Sequence, residues 1–430
     1  MRTGGMVRVC TAIAAFSLFS AGIAPRVHAA PSRQSPVTVT VWTAYTHGLL
    51  DAFNTLSSRF QSLYPYIKIN EVSSTSYSTL LPKEQSAVFA GNTPTIGQAY
   101  EAWTSQFLKS HAIQDLGPYI NGKHGLSAAD IRDFYPKVWK DGMLGSKHYM
   151  MPFSKSDIVL YFNRAMLRHS GISRPPTTWN EFAADCKKVT VRQGGTVSQW
   201  CTTYELDESE WYAWEYEWGN HVLDKQGKAA FATRQGAAPV SFFANLVKKK
   251  EMVVSTSGTY QGQADFDAGK TAFYMGTSAG LTYVISGAKP GVETAVAPFP
   301  AGPMHRATEM FGAPLAMFSK GSSAEKEAGW LFMKWLTEPR QTAYWAEHTG
   351  YMPVRQSAFK LMKSYYSKNP QERSSVEQLN YALVEPVVPG WTKAQTDIAT
   401  NLAAALNGNS SPLQAMRSAA SQVNSDLSQQ

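Results

Sequence analysis

Cysteine is scarce: the 430-residue sequence holds three, at Cys10, Cys186 and Cys201. There is no C-x-x-C and no H-E-x-x-H, and the nine histidines are scattered, so neither a metal site nor another cofactor is expected. Beyond the N-terminal region nothing approaches the roughly 18 uninterrupted apolar residues of a membrane-spanning helix. Charge is also sparse, at 17% of residues. The formal excess of +8 is spread without a basic stripe, which argues against a nucleic-acid partner.

What is present at the start has an export pattern. Arg2 and Arg8 precede an apolar stretch from Val9 to Ile23, and Val27-His28-Ala29 offers small residues for cleavage. Residues 1–29 are therefore expected to be a signal peptide, with Ala30 opening a secreted, soluble, periplasmic chain. Cys10 follows Arg8-Val9 instead of small residues, so lipid attachment is not expected. In an oxidising compartment the remaining pair, Cys186 and Cys201, reads as a disulfide, which would contribute about 3 kcal/mol by closing a short loop. Two buried thiols are the alternative.

With 43% hydrophobic residues the chain can build full cores, and at about 150 residues per domain it suggests two or three units. Val37 to Trp42 alternates as a strand does. Leu49, Phe53, Leu56 and Phe60 recur at helical spacing, Ile67 to Val72 alternates again, a helix over Leu80 to Phe89 ends at Gly91, and Thr95 to Ala99 is a short strand. This β-α-β-α-β order predicts an α/β fold with parallel strands. Further on, the pattern predicts strands at Ile158 to Phe162 and Ala272 to Met275. It predicts helices from a Thr178–Glu181 capping box to Val189, over Val240 to Lys249, over Ala324 to Trp335, and from Leu379 onward. The polar stretch from Ser421 is expected to fray.

Two segments invite a chemical reading. Gly276-Thr277-Ser278-Ala279-Gly280 matches the G-x-S-x-G of a hydrolase nucleophile elbow, with Glu293/His305 or Glu309/His348 as possible partners. No H-G-G-type oxyanion loop precedes it, and small residues at a strand-to-helix turn equally suit ligand binding, so an enzyme is not expected. The acidic run from Glu205 to Glu217 interleaves carboxylates with aromatics. Glu208, Trp211 and Trp214 could form a pocket wall for a sugar ring or a cation, or the rings could be core and the acids solvated.

Gln98-Ala99-Tyr100-Glu101, Pro152-Phe153 with Ser156 ahead of Leu160-Tyr161-Phe162-Asn163, Thr177-Thr178-Trp179 and Thr349-Gly350-Tyr351-Met352-Pro353 carry a resemblance. In order from Val37 to about Leu406, the chain resembles family 1 extracellular solute-binding proteins of ABC importers, the group of maltose-binding protein, and in particular their glycerol-3-phosphate-binding branch. The resemblance implies a two-lobed periplasmic-binding-protein fold with ligand in the cleft. Lobe 1 would comprise residues 30–155 and about 306–345, lobe 2 residues 156–305 and about 346–430. It implies a monomer that hands a small molecule to the transmembrane subunits of a permease: a sugar, a polyol, glycerol 3-phosphate or a glycerophosphodiester. Chemoreceptor docking is a further option.

Ligand contacts would fall on Tyr77, Glu101, Ser156, Asp157, Ser278, Gly312 and Tyr351. Trp391 stands where the branch places a phosphate-pairing arginine, and the branch's two tryptophans ahead of the central helix align toward Leu206 and Ser209. A tryptophan cannot grip phosphate as a guanidinium does. Lys155 and Lys393 are the candidates to replace the lost cation. Otherwise the ligand is uncharged or choline-bearing and held by stacking on Trp391 and Tyr351.

Overall fold

Alternation along Val37–Thr43 turns Val39, Val41 and Thr43 inward and makes it the organising strand, β1, of the first lobe. In this computed structural model, residues 1–5, 35–256 and 258–429 are described, and Pro36–Gln430 form one unit carrying every element below. The expected signal peptide and Cys10 fall mostly or wholly on residues 6–34, outside the described ones. No described helix is long and apolar enough to cross a membrane.

The other strands that position the site are β2 (Ile67–Ser73), β3 (Ile96–Gln98), β4 (Met150–Met151), β5 (Ser156–Asn163), β6 (Thr196–Glu205), β7 (Met252–Ser255), β8 (Thr271–Thr277), β9 (Thr294–Pro298), β10 (Thr308–Phe311), β11 (Leu315–Met317) and β12 (Ala382–Leu383), while Met143–Leu144 pairs with Lys147–His148 and Val191–Gln193 pairs with β6 at the margins. The first sheet runs β2-β1-β3-β11-β4. Its first three strands are parallel, as the sequence predicts, and the last two joins are antiparallel. The second sheet runs β7-β6-β8-β5-β10-β12, with β9 also paired to β5. Every residue of β5 is buried, as expected of a strand covered on both faces.

Helices supply the cover. His47–Leu63 lays Phe53, Leu56 and Phe60 on the first sheet, where Phe332 and Trp335 of Ser323–Leu336 meet them. In the second lobe Trp179, Phe182, Trp214 and Phe243 form an aromatic centre between helices Trp179–Val189, Glu208–Glu217 and Ala237–Lys248. Cys186 and Cys201 are bonded, tying the first of these helices to β6.

The chain passes between the sheets through Pro152–Lys155 and returns through Gly312–Pro314, because β10 still pairs with β5. Two expectations need correction. The helix foreseen from Leu379 begins at Trp391, since β12 must first pair with β10. The C-terminal segment stays helical to Ser428, because Met416, Ala420 and Val423 are buried against helix Trp391–Leu406.

Candidate functional site

The two crossing segments set the geometry at the junction of the lobes. Gly312 holds a φ of 109°, and a Cβ there would lie 2.2 Å from the Ser154 carbonyl oxygen, so only glycine lets the strands pass this closely. Lys155, fully buried, donates to Glu101 Oε1 at 3.0 Å and to the Gly312 carbonyl at 3.1 Å, and it pairs closely with Asp141. An ammonium has three protons, and these partners use all three. Burial works against the charge, but Asp141 and Glu101 outweigh it and hold Lys155 above its ordinary value. Glu101 is raised by burial and by Asp141, with Lys155 opposing.

Tyrosines line one side. Tyr77, Tyr100 and Trp103 pack edge to face, with centroids 5.0–6.2 Å apart, and the Tyr77 hydroxyl accepts from Gln98 and bonds Tyr351. Tyr351 stacks on Trp345 at 5.7 Å. Its neighbour Gly350 takes a φ of 77°, with its Cβ position 2.6 Å from the Ser278 carbonyl oxygen, which brings the Tyr351 loop against the turn after β8. Ser278 Oγ accepts from the Asp157 backbone N–H at 3.3 Å, and Asp157 Oδ2 accepts from Gln378 at 3.0 Å. Ser156, Asp157 and Ser278 are all buried. The structure thus gathers Tyr77, Glu101, Ser156, Asp157, Ser278, Gly312 and Tyr351 around the crossings. Among the described residues no histidine is hydrogen-bonded to Ser278; its partners are the backbone N–H and the carboxyl of Asp157.

Other expected residues lie elsewhere. Trp211 meets Phe231 edge-on at 4.8 Å and Trp214 stacks on Phe243 at 3.7 Å, both with no exposed surface. They are core, which corrects their reading as a pocket wall: helix Glu208–Glu217 turns this face toward the aromatic centre. Glu208, in the first turn of the helix, shares the Gln395 amide with Glu385, 2.8 Å from each. Trp391 is fully buried beside Tyr212, centroids 6.0 Å apart. Neither candidate lysine is a free cation. Lys155 is saturated, and Lys393 is exposed and paired with Asp397 and Asp426.

Sequence reasoning passed over Asp141, Glu385 and Gln395, and named Glu309 only as a possible hydrolase partner and Tyr212 only as part of the acidic-aromatic run. Glu309 is buried on β10, opposite Leu383, and Glu385 follows two residues after. Burial and Asp141 push Glu385 up to about 7.

The comparisons agree with this architecture. The profile of bacterial extracellular solute-binding proteins matches residues 51–372. An sn-glycerol-3-phosphate-binding periplasmic protein, UgpB of Pectobacterium atrosepticum, is 27% identical over 98% of this chain and 96% of its own. UgpB from Mycobacterium tuberculosis, solved with glycerophosphocholine, superposes with a TM-score of 0.79 at 20% identity, covering 92% of this chain and 99% of that one. The GacH receptor of Streptomyces glaucescens, solved unliganded and with acarbose, gives 0.80 at 19% over the same shares. The chain belongs to the bacterial extracellular solute-binding proteins, non-enzymatic receptors that capture solutes.

Proposed function

We propose that the chain, acting as a monomer, captures a small polyhydroxylated solute without a phosphate monoester at the junction of its lobes and delivers it to the membrane subunits of a permease. Tyr77, Ser156, Ser278 and Tyr351 would meet hydroxyls, Glu101 would accept from them through its remaining lone pairs, and Gly312 would let backbone approach.

One observation carries the choice of solute: Lys155, the cation at the junction, has no donor left. A phosphate monoester needs charge-assisted donors of the kind Arg or Lys provides, and Trp391 brings one N–H. The UgpB relatives are named for glycerol 3-phosphate, and one is solved with a phosphodiester. For this chain the charge pattern favours a sugar, a polyol or a choline-bearing diester.

A thermal-shift panel of glycerol 3-phosphate, glycerophosphocholine, maltose and free polyols tests this. A ligand at a hundred times its Kd stabilises by about 2.7 kcal/mol, a readily visible shift. A sugar, polyol or choline diester should raise the melting temperature in the native chain and much less in Tyr351→Ala. A shift confined to glycerol 3-phosphate would contradict the proposal.

A further inference from the structure

The excess of positive charge forms no stripe along the sequence, yet the fold collects part of it at the pole of the second lobe remote from the junction. Strands β7 and β8 begin there, beside the first half of β6. Backbone bonds draw the pole together: the Trp200 N–H donates to the Lys270 carbonyl and the Cys201 N–H to that of Glu251, both at 3.0 Å. Arg192 Nη2 donates to the carbonyls of Lys249 and Lys250 at 2.8 and 3.3 Å, which fixes strand Val191–Gln193 against the end of helix Ala237–Lys248. The Cys186–Cys201 bond brings in the last turn of helix Trp179–Val189, with Lys187 and Lys188. Lys187, Lys188, Arg192, Lys248, Lys249 and Lys250, from three segments, are all exposed.

The carboxylates nearby leave most of this charge uncompensated. Lys188 pairs with Asp185 at 3.7 Å, Lys270 pairs with Asp265 at 3.1 Å, and Glu251 is buried. Among the described residues Lys187, Arg192, Lys248, Lys249 and Lys250 form no ion pair. One lysine in a last turn complements a helix dipole. Three in succession closing one helix, beside two closing another and an arginine between them, exceed that requirement.

A second feature is apolar. Val191–Gln193 and the start of β6 form a hairpin whose turn residues Gly194 and Gly195 hold φ of 56° and 83°. Every residue of Val191–Gln193 is exposed, Val191 by 39%, and Val197 and Trp200 are half-buried. Aliphatic and aromatic surface among unpaired cations suits the interface of an anionic bilayer, where cations meet headgroup phosphates and apolar side chains enter the boundary. A family that works outside the cytoplasm meets phospholipid before it meets nucleic acid.

We infer that this pole docks reversibly on an anionic phospholipid surface and holds the chain at a membrane. The junction lies about 20 Å away along the seven residues of β8, so it stays free to take solute. The inference does not depend on which solute is captured.

Flotation with vesicles tests it. At low ionic strength the native chain should float with vesicles of equal parts phosphatidylglycerol and phosphatidylcholine and stay behind with phosphatidylcholine alone. Partitioning should fall about tenfold or more in about 1 M salt, where the Debye length is about 3 Å. Lys187→Gln with Lys248→Gln and Lys249→Gln should lower it about tenfold or more at low salt. Lys320→Gln with Lys360→Gln and Lys363→Gln removes the same charge from exposed positions elsewhere and should change it about twofold or less. A retained melting transition shows that both triple variants fold. No flotation with the anionic vesicles, or equal losses in the two variants, would overturn the inference. So would a DNA duplex that binds as strongly and displaces the vesicles, since the pole would then read any polyanion.

Discussion

Lys155 illustrates how a charge can stand at a ligand site and still be unusable there. Its sequence context suggested a replacement for a lost phosphate-binding arginine, yet its three protons are occupied by Glu101, Asp141 and the Gly312 carbonyl. Counting donors, which needs coordinates, reverses the reading. Glu385 makes the complementary case, because burial and the neighbouring Asp141 push it up to about 7 while Lys155 opposes them. That value lies above the ordinary 4.5, so the folded chain holds this proton more tightly than the unfolded chain. The associated stability is fully present below about pH 4.5 and is lost as the pH rises through 7. Glu208 and Glu309 are raised in the same direction, chiefly by burial. Without ligand, the melting temperature of the native chain should fall between pH 5 and pH 8 by clearly more than that of Glu385→Gln. Parallel curves for the two proteins would show that Glu385 does not titrate there.

Among elements, those with strong periodicity were legible. Val39 and Val41 alternate, and Phe53, Leu56 and Phe60 recur at helical spacing, so β1 and the helix after it follow from pattern alone. The two-residue strands β4 and β12 were not, because a pairing that short leaves no period. In helix Glu208–Glu217 Trp211 and Trp214 are core, but Glu210, Glu215 and Glu217 are buried with them and not solvated. The Cys186–Cys201 bond was legible from compartment and parity. It closes a separation of 15 residues, so Cys186→Ser with Cys201→Ser should lower unfolding stability by about 3 kcal/mol in urea titration. A change under about 0.5 kcal/mol would mean that helix Trp179–Val189 and β6 are held by their packing alone.

At the scale of the whole molecule, composition and periodicity supplied an α/β chain with a parallel start. The two-lobed arrangement came from resemblance, because the crossings at Pro152–Lys155 and Gly312–Pro314 carry no periodic signal. Tyr77, Glu101, Ser278 and Tyr351 also came from it. They are far apart in sequence, and only the folded chain brings them together. Glu385 matched no motif, and Glu309 was singled out only as a possible hydrolase partner, since a lone acid in a strand or a loop looks like any solvated one until its burial is known. The central claim is that a solute held at the junction draws the lobes together without chemistry. Small-angle scattering on the purified chain, with and without the panel compound giving the largest thermal shift, tests this most directly. The account predicts a smaller radius of gyration with ligand, whereas tight binding at an unchanged radius would contradict it.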